Sequence, residues 1–287
     1  MKTKISPFFT LAIWMALYLG VGGFFGGLHP ILGVLVGDGL MIFAPAVYLH
    51  RKWGFKLATK PVKGRTWVEV GLLILWLFPL CTLLNGLYLE LVGDFLPEMY
   101  RGEGLLQGGY SLPFKILLLG LFPAVTEEFF FRDILLRFLR SYGLGLCVLL
   151  SGVIFSLFHF DLHNVLAPFI LGVVLSQIYL YGGSYPLVVA GHFFYNSLGI
   201  IFLHFYTPEA RVLLERQVFV QALGGLERAM ILLLVLLTAL GLYLLSRYSL
   251  RLVRRPRVHL RKLSPQDLFW LFIIVSMYFR VTLPQSF

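Results

Sequence analysis

The chain has 287 residues, of which 59% are hydrophobic and only 13% are charged. A soluble domain carries roughly 25% charged residues, so this composition excludes an ordinary soluble enzyme and indicates a membrane protein. The net charge of +10 comes from short basic loops between apolar runs. These loops are better explained as topology signals than as a surface for nucleic acid, and we expect no nucleic-acid partner.

The apolar runs predict an all-α fold, a polytopic membrane bundle of about eight transmembrane helices. Each run is long enough to cross a ~30 Å hydrocarbon core as a helix. The predicted spans are residues 7–28, 30–49, 67–92, 112–140, 144–160, 165–181, 185–205 and 229–245. A further apolar stretch, 267–283, could be a ninth span or an interfacial helix. The glycine-rich end of the first span predicts close packing against a neighbouring helix.

The charged loops predict the topology of the bundle. Loop 51–65 holds six Lys or Arg residues, segment 247–262 holds seven, and neither contains an acid. Both are therefore expected in the cytoplasm, together with the N-terminus. Loop 93–111 has more acidic than basic residues and is expected outside. We predict a multi-pass protein of the cell (inner) membrane, whose first span also targets the chain.

The segment 126–140, TEEFFFRDILLRFLR, places several ionisable side chains in an apolar span. Each costs ~2.5–3.5 kcal/mol in a membrane even on a mild scale, so each needs a partner or a use. Residues four apart share a helix face, which predicts an ion pair between Glu128 and Arg132. Glu127 is rotated about 100° away and is left free for chemistry. Asp133 has no role in this scheme.

Three more polar residues lie in apolar runs of the same half. His159 is in predicted span five, and His192 and Asn196 share one face of span seven. Glu127 lies ~20 Å before Arg140, while His159 lies ~22 Å beyond the turn that follows it. The two can therefore meet at one depth. Asp38, in span two, is predicted to make a structural hydrogen bond to a neighbouring helix.

These residues suit hydrolysis of a peptide bond. A glutamate and a histidine can hold and deprotonate a water molecule, here Glu127 and His159. His192 and Asn196 can donate hydrogen bonds to a developing oxyanion. A zinc site made of Glu127, His159 and His192 is the alternative, although the HExxH arrangement is missing. Asp161 and His163 are predicted to lie in an interfacial turn. The two cysteines lie in apolar spans, which argues against a disulfide framework and a cysteine-based zinc site.

Three ordered motifs resemble those of the CaaX protease and bacteriocin-processing family of intramembrane proteases, known as CPBP or Abi. The family pattern is EExxxR, then FxxxH, then HxxxN or HxxxD. Here the chain has EEFFFR at 127–132, FSLFH at 155–159 and HFFYN at 192–196. The resemblance covers about 112–205. It divides the chain into N-terminal helices (1–111), a CPBP-like catalytic core (112–206) and a C-terminal part with the last span, the basic segment and the apolar tail (207–287).

The resemblance implies an intramembrane endopeptidase that cuts a membrane-anchored protein or peptide near its C-terminus. Glu127 would be the general base, His159 would position the water, and His192 and Asn196 would form the oxyanion site. Glu128 and Arg132 would support them. No cofactor is favoured, with Zn²⁺ as the alternative. The competing interpretations are a non-proteolytic immunity or binding protein and a proton-coupled transporter that uses Glu127. The oligomeric state, the substrate and the side on which the cavity opens are left undecided.

Overall fold

The fold is a bundle of α-helices, seen in a computed structural model that describes residues 6–92, 96, 109–182, 184–205, 236, 238–247 and 262–282. These residues contain no β-strand, and the only bridge among them joins Thr59 to Ser184. Four helices are long and apolar enough to cross a membrane: Phe8–Leu28, Pro30–Lys52, Gly64–Val92 and Tyr185–Phe205. Two shorter apolar helices, Leu144–Leu157 and Leu166–Gly182, lie with them. The predicted all-α polytopic membrane fold is confirmed.

We number the helices in chain order. The first four are α1 (Pro7–Leu17, Tyr18–Gly22 and Gly23–Leu28), α2 (Pro30–Val34, Leu35–Phe43 and Ala44–Lys52), α3 (Gly64–Val92) and α4 (Leu112–Lys115, Ile116–Leu121, Phe122–Glu128, Phe129–Leu135 and Leu136–Leu139). The others are α5 (Leu144–Leu157), α6 (Leu166–Gly182), α7 (Tyr185–Phe205) and α8 (Pro265–Thr282). Parts of α1, α2 and α4 are π-helical: Tyr18–Gly22, Leu35–Phe43, Ile116–Leu121 and Phe129–Leu135.

Glycines let α1 and α2 form a close antiparallel pair. A Cβ atom added at Gly33 would lie 2.7 Å from the Cα atom of Gly26, which no real contact tolerates. Backbone approach of this kind drives helix association in a membrane, where lipid tails are as apolar as leucine. The close packing predicted for the glycine-rich end of span one is therefore confirmed.

Helix α4 lies at the centre of the site, and its π-helical segment Phe129–Leu135 is buried along its whole length. π-Helical turns are rare and often mark functional sites. This segment carries Arg132 and Asp133, which have partners both on α4 and on other helices, described below. Helix α4 then ends in a 3₁₀ turn, Arg140–Tyr142, and Gly143 has a positive φ of 98° that starts α5.

Helices α5 and α6 form a short hairpin behind α4. A Cβ atom at Gly172 would lie 3.0 Å from the Cα atom of Gly152, so this pair also requires glycine. Their turn contains the 3₁₀ segment Leu162–Asn164, where Asp161 accepts a hydrogen bond of 2.9 Å from the backbone N–H of His163. The predicted turn at Asp161 and His163 is present.

The prediction for span five was wrong at its end. Helix α5 ends at Leu157, whereas the sequence predicted a span to residue 160, so His159 lies in the turn and not in a helix. The physical reason is the next residue, because Phe160 has a left-handed φ of 47° that cannot continue a helix. Phe160 is buried and stacks on Tyr18 and Tyr278 at centroid distances of 6.0 Å.

The C-terminal stretch forms helix α8 against the start of α1. Ser264 and Asp267 make a reciprocal capping box, with hydrogen bonds of 3.0 and 3.2 Å. The hydroxyl of Ser6 donates to Asp267 at 2.6 Å. Residues 229–235 and 237 of predicted span 229–245, most of loop 93–111 and nearly all of basic segment 247–262 lie outside the described residues.

Candidate active site

A buried ion pair between Glu128 and Arg132 is the first part of the site. The guanidinium donates from Nε to Glu128 Oε2 at 2.7 Å and from Nη2 to Oε1 at 3.3 Å. Neither side chain is accessible to solvent. Arg132 Nη1 also donates to the hydroxyls of Ser151 and Ser176, at 2.9 and 3.1 Å. The predicted pair is present, and Arg132 also binds α5 and α6 through these two serines.

His192 joins this pair from α7. Its Nδ1 atom lies 3.0 Å from Glu128 Oε1, and its side chain is only 2% exposed. A carboxylate held by an arginine only accepts hydrogen bonds, so Nδ1 carries the proton in this contact. Asn196 follows one turn later and is half-buried. Its amide makes no hydrogen bond among the described residues, so its donors are available.

Glu127 lines a separate cavity of about 140 Å³ together with His159 and Asp38. Its Oε2 atom is buried and has no hydrogen-bond partner among the residues that the structure describes. The rest of the lining is aromatic or aliphatic: Tyr18, Ile42, Phe131 and Phe158. An unpartnered buried carboxylate oxygen is costly in an apolar surrounding, so it indicates a position where water or a substrate group binds.

The backbone of the turn fixes His159 in one orientation. Its Nδ1 atom lies 2.8 Å from the carbonyl oxygen of Phe155. A carbonyl accepts, so Nδ1–H is the donor, and in the neutral ring the lone pair is on Nε2. The positive φ of Phe160 directs the chain away immediately after this histidine. The result is an exposed imidazole that lines the Glu127 cavity.

Phe155 connects the two parts of the site. Its ring centroid lies 4.8 Å from that of His159 and 5.6 Å from that of His192. The four predicted catalytic residues are therefore arranged as two pairs. Glu127 and His159 line one cavity, while His192 and Asn196 share α7 beside Glu128.

Several residues of the site were not assigned a role from the sequence. Asp38 makes the predicted hydrogen bond to a neighbouring helix, with the Tyr18 hydroxyl as its partner. It also lines the Glu127 cavity, which the sequence did not predict. The cavity-lining residues Tyr18, Asp38, Ile42 and Phe131 all come from π-helical segments. Ser151 and Ser176 gave no signal in the sequence, because serine in an apolar helix is common.

Asp133 belongs to a second buried network on the loop side of α4. It accepts hydrogen bonds from Arg137, at 2.5 Å from Nη2 and 3.1 Å from Nε, and contacts Nδ1 of His50. Arg137 donates further to the backbone oxygen of Lys56 at 2.8 Å. This network ties α4 to α2 and to the loop that follows it, which explains why a charged residue stands at this position.

The zinc alternative requires three ligands at one point. Among the described residues, no three His, Cys, Asp or Glu side chains come together closely enough to hold a metal ion. Within the alternative set, Glu127 and His159 share the cavity, while Nδ1 of His192 is occupied by Glu128. His163 lies apart, 3.9 Å from Asp161 in the turn.

Comparison with known protein families gives a match in the middle of the chain. Residues 109–198 match the family model described as Rce1-like, type II CAAX prenyl endopeptidase Rce1-like. The match spans about a third of the chain and contains all six predicted site residues. No curated protein and no solved structure matched the chain. Residues 109–198 are therefore similar to the type II CAAX prenyl endopeptidases, in agreement with the resemblance that the three sequence motifs carry.

Proposed function

We propose that this protein hydrolyses a peptide bond of a membrane-anchored protein or peptide, with a water molecule activated by Glu127 and His159. The observation that carries the proposal is the unpartnered Oε2 atom of Glu127 in a cavity shared with His159. The family match supports endopeptidase activity of the CAAX type. From this match we infer a substrate that is held in the bilayer and is cut near its C-terminus.

In the proposed reaction, water lies between Glu127 Oε2 and His159 Nε2. Glu127 takes one proton while the water oxygen bonds to the carbonyl carbon of the substrate, and the carbonyl π electrons move to its oxygen. His159 accepts the second water hydrogen as a hydrogen bond and orients the oxygen lone pair. Glu127 then returns its proton to the leaving nitrogen as the C–N bond breaks.

The tetrahedral oxyanion needs donors, and the proposal assigns this role to α7. The side-chain amide of Asn196 has donors that no described residue uses. In this proposal His192 donates from Nε2 with both ring nitrogens protonated, while Glu128 Oε1 accepts from Nδ1. A single donor at an oxyanion is worth about 10²–10³ in kcat. Glu128 and Arg132 act as positioning residues.

The decisive test is cleavage by the purified full-length chain in lipid nanodiscs. The substrate pool is a set of prenylated peptides with varied C-terminal residues, and the products are identified by mass spectrometry. Glu127→Gln should lower the cleavage rate by about 10³-fold or more, because it removes the base. The matched control is Glu90→Gln, which changes an exposed glutamate of α3. Unchanged cleavage by Glu127→Gln would refute the mechanism.

One observation favours a second candidate function. Asp38 and Glu127 place two carboxyl groups in one small cavity, an arrangement that a proton-coupled transporter also uses. Proteoliposomes separate the two functions. Proton flux that depends on Glu127, without cleavage of any peptide in the pool, would replace the protease proposal with this one.

A further inference from the structure

A second and larger cavity, of about 540 Å³, opens at one end of the bundle. Three segments form its walls: the loop between α2 and α3, the last turns of α4, and the end of α6. The lining residues are Lys56, Leu57, Ala58, Thr59, Lys60, Arg132, Leu136, Arg137, Arg140, Tyr179, Leu180 and Tyr181. None of them lines the Glu127 cavity, although Arg132 belongs to the ion pair with Glu128 and Arg137 belongs to the network around Asp133.

The lining of this cavity is strongly positive. It contains five Lys or Arg side chains and no carboxylate. Arg132 and Arg137 are neutralised by Glu128 and Asp133. The remaining cations are Lys56, Lys60 and Arg140, which form no ion pair with any carboxylate among the described residues. Three unpaired like charges around one cavity repel each other, and an anion between them would relieve that repulsion.

The loop wall of the cavity is fixed by specific contacts. The Arg137 guanidinium lies 4.6 Å from the ring centroid of Phe55 and donates to the backbone oxygen of Lys56. The backbone N–H of Tyr185 donates to the oxygen of Ala58 at 2.7 Å. A bridge between Thr59 and Ser184 continues this attachment. The cations therefore surround a preformed cavity rather than a loose surface loop.

The cavity lies at an end of the bundle, where lipid headgroups are expected. Every wall segment lies at the end of a membrane helix: α2 ends at Lys52, α3 begins at Gly64 and α6 ends at Gly182. The lining also includes Leu136 and Leu180, which are apolar and buried. Basic cavities between helices on the cytoplasmic side suit anionic headgroups. An amphipathic cavity of this kind fits a phosphate with apolar groups attached better than a bare ion.

We propose that this cavity binds the phosphate group of an anionic phospholipid headgroup, held by Lys56, Lys60 and Arg140. The bound phosphate supplies the negative charge that the lining lacks and ties the loop to α4 and α6. The proposal is independent of the proposed protease activity, since it concerns binding and stability alone.

The test is a titration of the full-length chain in an uncharged detergent, with native mass spectrometry and thermal unfolding as readouts. Phosphatidylglycerol is compared with phosphatidylcholine, and glycerol 3-phosphate is the soluble arm. The triple variant Lys56→Gln, Lys60→Gln, Arg140→Gln should weaken phosphatidylglycerol binding by about 100-fold, since each cation near a membrane surface contributes appreciably. It should also lose the thermal stabilisation by that lipid.

The matched control removes the same total charge from the same basic loop. Arg51, Lys52 and Lys63 are exposed and do not line the cavity, so changing all three to Gln should leave binding within about twofold. A charge-preserving variant, Lys56→Arg, Lys60→Arg, Arg140→Lys, should still bind the lipid. Its binding would show that the Gln triple loses lipid binding because charge is removed and not because the protein misfolds. Equal weakening in both Gln triples would overturn the proposal, because it would indicate diffuse attraction. Equal protection by glycerol 3-phosphate would overturn the lipid assignment in favour of a free phosphate.

Discussion

His192 on α7 and Glu128 on α4 are joined by a contact of 3.0 Å between Nδ1 and Oε1, and both side chains are buried. The same carboxylate holds Arg132, so one glutamate connects the motifs EEFFFR and HFFYN. Its neighbour Glu127 points instead to a cavity with His159. The adjacent acids thus have different surroundings, one filled with partners and one left open.

Replacing Glu128 should destabilise the buried core, whereas replacing Glu127 should not. Glu128→Ala leaves Arg132 as a buried charge without its partner, which typically costs about 3–5 kcal/mol. Glu127→Ala removes a group with an unsatisfied oxygen and should change stability by less than about 1 kcal/mol. Thermal unfolding of both variants in the same detergent measures the difference. Equal melting temperatures would contradict the division of roles.

Phe160 should control the orientation of His159. Its left-handed φ is strained for an aromatic residue and is held by stacking on Tyr18 and Tyr278. Phe160→Ala should destabilise the fold by about 3–5 kcal/mol. The molecules that remain folded should also cleave more slowly than wild type, because His159 loses its orientation. Phe272→Ala is the control, because Phe272 is 66% exposed on α8. A normal kcat for Phe160→Ala, measured at a temperature where the variant is folded, would show that the stacking of Phe160 does not control His159.

Asp38 should act on the activated water without binding the substrate. It lines the cavity of Glu127 and accepts a hydrogen bond from Tyr18. We expect Asp38→Asn to lower kcat about tenfold with little change in KM, because it alters the charge beside the base. Tyr18→Phe should give a smaller loss of the same kind. A rise in KM at constant kcat would instead assign Asp38 to substrate binding.

Gly152 should be irreplaceable at the α5–α6 contact. A Cβ atom there would lie 2.5 Å from Val173 Cγ2 and 2.9 Å from the backbone oxygen of Phe169. Gly152→Ala should therefore cost about 1–3 kcal/mol through overpacking. Gly145→Ala, in the same helix, meets nothing within 4 Å and should be neutral or stabilising by up to about 1 kcal/mol. Chemical unfolding compares the pair, and equal effects would disprove the steric account.

Metal removal should have little effect if Glu127 is the base. We expect cleavage to stay within about twofold after dialysis against a strong chelator, since no step of the proposed reaction uses a Lewis acid. The measurement is the rate before and after dialysis, with added Zn²⁺ as the control. Activity that disappears and returns only with zinc would reinstate the ligand set Glu127, His159 and His192.

The local part of the site could be predicted from spacing alone. The ion pair between Glu128 and Arg132 follows from a separation of four residues, and so does the common face of His192 and Asn196. The partner of His192 could not be predicted, because the contact joins residues 64 apart in the chain. Ser151 and Ser176 reach Arg132 for the same long-range reason.

The larger errors came from backbone features that an apolar pattern does not reveal. Hydropathy continues smoothly through Leu157, His159 and Phe160, so it gave no sign that the helix ends before the histidine. Asp38 makes the hydrogen bond to a neighbouring helix that was predicted for it, but its second role could not be predicted. Its place in the cavity depends on how α1 and α2 pack beside α4, and helix packing is not encoded in the periodicity of a single helix.

The shortness of α5 has a consequence for the membrane around it. Its 14 residues extend only ~21 Å, against a ~30 Å hydrocarbon core. This hydrophobic mismatch is accommodated by thinning of the surrounding bilayer or by flanking side chains that reach to the interface. We therefore expect the turn at His159 to lie near one interface where the bilayer thins, and below that interface where it does not. The fit between the α5–α6 hairpin and the bilayer therefore depends on the acyl-chain length of the lipid. Short chains match the length of the hairpin, whereas long chains must be compressed around it.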